Sequence, residues 1–207
     1  MASGTKARTQ DLDSGRIAAA ALAVVDAGGV EAFTMRAVAD ALGVTPMALY
    51  HHVADKQALA ALVIDAASRE IPFPNATGDW RDDLIAMARW SREVTLTHPG
   101  AGRLRSAYGV WTPAVLQMTE RWFGLWQQSG LPLDAAVRAA SVSSAAIVGL
   151  VGQEIAGRDM TAPDADLLAL LPNARLAFTA RHDREAAFEM AVRALINGLR
   201  DELSASP

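Results

Sequence analysis

Apolar residues recur along this chain at intervals of three and four, as helix faces require, and nowhere alternate over the run a strand needs. Between Asp13 and Ala27, the residues Ile17, Ala21, Leu22 and Val25 make one stripe, which Gly28-Gly29 ends. A short helix is predicted over Met35–Leu42, with Val38, Ala39 and Leu42 inward. Gly43 can take the positive φ that closes a helix, and Val44 fills the angle that follows. Thr45 and Pro46 then supply an N-cap and a first helical position. On this next helix Leu49 and Val53 face inward, while Pro46, Met47, Ala48, Tyr50, His51 and His52 point outward or to the flanks. Asp55 caps a fourth helix in which Leu59, Leu62, Val63 and Ala66 repeat, ending near Ile71.

The stretch PFPNATGD (72–79) breaks the periodicity and marks a domain boundary. Beyond it, helices are predicted from Trp80 to Thr97, interrupted by His98-Pro99-Gly100, and from Pro113 to Gly130. A long small-residue helix runs from Asp134 to Ala156, a short one lies around 164–171, and a last one follows the cap Asp183. The last carries Phe188, Ala191, Val192, Leu195, Leu199 and Leu203 as its stripe. The expected organisation is all-α: a flexible arm over 1–12, a helical domain over 13–72 and a second over 79–207.

Composition changes the picture in three respects. Alanine, the best helix former, dominates the apolar content, which favours the all-α reading. Cysteine is absent, so disulfides and thiolate chemistry are excluded. No apolar run approaches the ~18 residues of a membrane span, and no secretory leader is evident, so a soluble cytoplasmic chain with no membrane partner is expected.

The pair of helices over 34–56 has the shape of a helix–turn–helix, whose second helix presents its outer face to base edges in a DNA major groove. Charge does not reinforce this. Residues 1–60 carry five Lys/Arg against six Asp/Glu, a balance of −1. Few phosphate contacts per head are therefore expected, and useful affinity needs two heads. Thr34 can cap the first motif helix while its N–H faces a phosphate. Arg36 offers the bidentate fork that guanine requires. Met47 and Ala48 offer only apolar contact, so Arg36, Thr45 and DNA shape carry specificity. His51 and His52 point about 100° apart on a helix and do not form a metal pair, so they are assigned to backbone contacts.

The run LGVTPMALYHHVADKQAL closely resembles the DNA-binding signature of the tetracycline-repressor family of bacterial transcription regulators. The shared features are the Leu-Gly-Val turn, the Leu-Tyr pair, a His before an apolar residue and a Lys opening the next helix. The resemblance covers Asp13 to about Ile71, and it continues more weakly through WRDDLIAMARWSREVTLTHPG, Thr112-Pro113 and QQSGLPLDAAV. It implies a ligand-responsive repressor with a helix–turn–helix head and a C-terminal ligand-binding and dimerisation domain. It further implies a guanine contact for Arg36, phosphate contacts for Tyr50 and Lys56, a palindromic operator, and a homodimer held by the 134–156 and C-terminal helices.

Trp90, Trp111, Met118, Trp122, Phe123 and Trp126 concentrate aromatic and thioether surface in one region. With Met87, Arg105 and Gln153 they form the expected site for a small apolar or aromatic inducer. Met87, Arg105 and Trp122 stand where the resemblance places an amide, a magnesium-binding imidazole and a second amide, which disfavours tetracycline–magnesium. No cofactor, metal site or catalytic group is expected, because phosphate loops, HExxH and nucleophile elbows are missing. The rival readings are a protein-interaction module that binds no DNA, and an enzyme.

Overall fold

The computed structural model describes residues 12–158, 161–179 and 183–205. The expected arm, apart from Leu12, lies outside the described residues. Every regular element among those described is helical: α1 (Ser14–Ala32), α2 (Met35–Leu42), α3 (Pro46–Tyr50), α4 (Lys56–Glu70), α5 (Trp80–Thr97), α6 (Pro99–Tyr108), α7 (Pro113–Gln128), α8 (Leu133–Ala156), α9 (Ala165–Ala169), α10 (Pro172–Thr179) and α11 (Arg184–Ala205).

The helices divide into two compact units. The first comprises residues up to Pro72 together with Thr97–Met118, and the second comprises Phe73–Leu96 and Thr119 onward. The chain first passes from one unit to the other between Pro72 and Phe73. Residues 97–118 cluster with the first unit although they follow that break in sequence.

In that first unit Ile17, Val25, Phe33, Val38, Leu49, Leu59, Val63 and Leu104 are fully buried in one cluster. The stripes read from the sequence face inward, but Leu42, Leu62 and Ala66 only partly, and on α4 Ala60, Ile64 and Ala67 are buried instead. Gly29 takes φ 71°, ψ −171°, so α1 breaks where the glycine pair predicts, and one further turn carries it to Ala32.

Helix α6 is a correction. The His98-Pro99-Gly100 break is instead a helix start, with Pro99 in the first turn, where its missing N–H costs nothing. The His98 side chain provides no cap. The cap comes from α1, where the Asp26 carboxylate accepts from the Gly100 N–H at 2.8 Å. Helix α7 begins similarly: Asp65 of α4 accepts from the Ala114 N–H at 3.0 Å, alongside the local cap from Thr112 to Val115 at 3.3 Å.

In the second unit α8 packs on α11. The buried face of α8 is made of Ala135, Ala136, Ala139, Ala140, Ser143, Ile147 and Val151. By length and composition alone α8 could cross a membrane. The short helix around 164–171 is α9, and α10 follows it directly.

Candidate functional sites

Three local caps build the helix–turn–helix. Thr34 Oγ1 accepts from the Ala37 N–H at 3.0 Å, Thr45 Oγ1 from Ala48 at 3.2 Å, and an Asp55 carboxylate oxygen from Ala58 at 2.7 Å. Between the first two, Gly43 adopts φ 69°, ψ 30°, and the Val44 N–H bonds back to the Ala39 carbonyl at 3.0 Å. That left-handed residue turns the chain sharply enough for α3 to start three residues later, at Pro46.

Leu49 and Val53 anchor α3 inward, so the rest of its surface is presented outward. Met47 is 67% exposed and Tyr50 48%, Pro46, His51 and His52 are exposed, and Ala48 is partly buried. Thr34, Arg36 and Thr45 are exposed as well. Arg36 lies one turn from Asp40 on α2, its Nε 3.9 Å from the carboxylate, with both side chains in solvent. Such a pair is weak and leaves the guanidinium fork accessible. Lys56, partly buried, holds its ammonium over the rings of Phe33 and Tyr108, at 5.8 and 5.5 Å from their centroids. The ten candidate nucleic-acid residues thus lie on α2, α3, their flanking residues through His52, and the first residue of α4, Lys56.

The ligand candidates are divided between the two units. Arg105, Trp111 and Met118 belong to the first unit; Met87, Trp90, Trp122, Trp126 and Gln153 belong to the second. Trp111 is 66% exposed, Gln153 is exposed, and Arg105 and Met118 are partly buried.

Met87, Trp90, Trp122 and Trp126 are buried. The Trp122 indole N–H donates to the Ala140 carbonyl and that of Trp126 to Ser143 Oγ, both at 3.0 Å. These two rings are therefore fixed to α8 and offer faces, not donors. Two aromatic neighbours escaped the sequence reading: Phe73 lies 4.4 Å from Trp90 and Trp80 lies 5.9 Å from Trp126, centroid to centroid. Both fall at or before the start of α5, outside the aromatic-rich stretch, and only their proximity in space reveals them.

Ion pairs tie α5 to its neighbours. Arg92 grips Glu154 of α8 through two hydrogen bonds of 2.8 Å, and Arg89 pairs with Glu189 of α11. The Arg92 hydrogen bond and charge outweigh burial and hold the Glu154 carboxyl below the usual carboxylate range. In the first turn of α5, Asp83 is almost wholly buried and accepts from the Thr77 N–H at 2.7 Å, the Thr77 hydroxyl at 2.9 Å and the Gly78 N–H at 3.4 Å. Burial alone pushes its carboxyl up; these donors and the Arg121 charge overcome that and leave it lowered.

An exposed second motif helix on a capped helical head, joined to a separate helical unit, defines a two-part regulator in which one part reads DNA. Residues 17–63 match bacterial regulatory proteins of the tetR family, and residues 72–203 match the tetracyclin repressor-like C-terminal domain. The chain belongs to the tetracycline-repressor family of transcriptional regulators.

It is 31% identical over 189 residues to the class A tetracycline repressor protein from transposon 1721 of Escherichia coli, covering 87% of each chain. A Saccharopolyspora erythraea HTH-type transcriptional regulator is 33% identical over 147 residues, covering 70% of this chain. The match takes in 61% of that relative, less than two thirds of its length. Among solved structures, TetR from Acinetobacter baumannii superposes with a TM-score of 0.70 at 26% identity, over 95% of this chain and all of that one. This is a family of regulators, not of enzymes, and the enzyme reading falls away.

Proposed function

We propose that this chain is a homodimeric, cytoplasmic repressor that binds a palindromic operator and leaves it when a small apolar or aromatic molecule binds. The observation that carries the proposal is the outward face of α3, held at a fixed angle by the Gly43 turn and closed on its other side by Leu49 and Val53. That face fits a major groove, and a face of Met, Tyr and His has no use as an isolated solvated surface. Arg36 reads a guanine edge, and Thr45, Met47 and Ala48 lie against bases. Thr34, Tyr50, His51, His52 and Lys56 meet phosphates, and Pro46 fixes the helix start.

The dimer is supported by α8, whose outer face exposes Val137 (42%), Val142 (50%) and Val148 (55%) among small residues. An exposed apolar helix face of this kind suits a self-complementary two-fold interface. The inducer is assigned chiefly to the second unit, on the ring faces of Trp90, Trp122 and Trp126 and on Met87, with Gln153 as a polar contact. Arg105, Trp111 and Met118 remain candidates from the first unit. Arg105 stands where the resemblance places the magnesium-binding imidazole and cannot ligate the metal, and Met87 and Trp122 replace amides, so tetracycline–magnesium is not the expected inducer.

Footprinting the purified protein on DNA flanking its own gene tests the proposal. A protected palindrome, released by one of a set of aromatic metabolites or hydrophobic drugs, supports it. Protection that no such compound relieves would retain the DNA reader and reject the inducer.

A further inference from the structure

We propose that Tyr108 is a positioning residue for DNA binding: with Phe33 it holds the Lys56 ammonium over two ring faces, ready for a phosphate. This rests on reading Lys56 as a phosphate contact. The three residues come from separate places in the chain, Phe33 at the end of α1, Lys56 at the start of α4 and Tyr108 at the end of α6. The two rings meet edge to face, 6.3 Å between centroids and 67° between planes. The ammonium stands 5.8 Å from one centroid and 5.5 Å from the other.

No carboxylate forms an ion pair with Lys56 among the described residues, and the adjacent Asp55 is engaged by the Ala58 N–H at 2.7 Å. Ring faces attract the charge without accepting conventional N–H hydrogen bonds, so the ammonium donors remain available for phosphate oxygens. Lysine has a long flexible stem, and ordering it when DNA binds costs conformational entropy. The two rings impose that order in advance, which is how preorganisation strengthens binding. Because Tyr108 ends α6, the strength of the phosphate contact depends on where α6 ends.

A double-mutant cycle on operator affinity, read by fluorescence anisotropy on the footprinted duplex and on a random-sequence duplex, tests the clamp. Tyr108→Leu is expected to weaken both by the same factor, roughly two- to fivefold per head. In a Lys56→Ala background it should change nothing, and Tyr108→Phe should restore wild-type affinity. Phenylalanines of increasing fluorine content at position 108 keep the shape while draining the ring face of negative potential. Affinity should fall stepwise with fluorine number, even if Tyr108→Leu does not fold. Equal weakening by Tyr108→Leu in both backgrounds, or none in either, would overturn the clamp while Lys56→Ala still lowered the salt slope by about 0.9 per head. Unchanged affinity and slope in Lys56→Ala itself would overturn the phosphate contact and the clamp with it.

Discussion

The Asp26 carboxylate receives the Gly100 backbone N–H at 2.8 Å, so the end of α1 caps the start of α6. A carboxylate near the C-terminus of its own helix is unfavourable, yet here it meets the positive end of another. His98 completes the junction, with one ring nitrogen 3.4 Å from Asp26 and the other 2.8 Å from Glu70 of α4. Three helices of the DNA-reading unit therefore converge on the residues around Gly100.

That convergence leaves no room for a side chain at position 100. A Cβ there would lie 2.6 Å from the Asp26 carboxylate and 2.7 Å from Val25 Cγ1. Gly100→Ala should cost about 1–3 kcal/mol through overpacking, and Asp26→Ala about 0.5–2 kcal/mol through the lost cap. Urea denaturation followed by circular dichroism measures both. A Gly100→Ala protein as stable as wild type would contradict the close approach.

Asp83 sets a pH dependence. Its carboxyl is lowered in the folded state, so it contributes stability that is fully present above the ordinary carboxyl range, about pH 4, and is lost as pH falls through the lowered value. Asp83→Asn should destabilise by about 1–3 kcal/mol at pH 7, because donors that met a charged acceptor then meet a neutral one. The difference from wild type should shrink in acid. Denaturation midpoints at pH 7 and well below pH 4 decide it, and a constant difference would assign the loss to packing.

The helix–turn–helix was legible because its determinants are local. Thr34, Thr45 and Asp55 each cap the helix that follows by accepting from an N–H three residues on, and Gly43 closes α2. Helix α6 was not legible, since its cap comes from a residue 74 positions earlier and proline-glycine reads locally as a break. The Lys56 clamp was hidden for the same reason. At the ligand candidates, composition located the aromatic concentration but could not separate ring faces from fixed core. That required seeing the Trp122 and Trp126 indoles donate to α8, and Phe73 and Trp80 pack on Trp90 and Trp126.

The DNA-facing side chains divide into two kinds. Arg36→Ala should cost about 1–3 kcal/mol on the operator and relax preference at one base position per half-site. Tyr50→Phe should instead weaken all sequences alike, by losing a phosphate hydrogen bond. Binding titrations on operators randomised at each position separate the two. Unchanged affinity for both variants would contradict their assignment.

Dimerisation is tested at Ala145, which is exposed on the outer face of α8, whereas Ala191 is already partly buried on α11. Ala145→Glu should desolvate a charge in the interface and shift the protein to monomer at micromolar concentration, with its helical content unchanged. Light scattering and circular dichroism check the two parts. A wild-type monomer would reject the dimer outright.

The central claim, that residues 34–56 form a sequence-specific reading head used in pairs, is tested most directly by one titration. The footprinted palindrome and a scrambled duplex of equal length are each titrated with wild-type protein at physiological salt. The account predicts two protomers per palindrome and a preference over the scrambled duplex of at least about a thousandfold. Equal affinity for the two duplexes would contradict it.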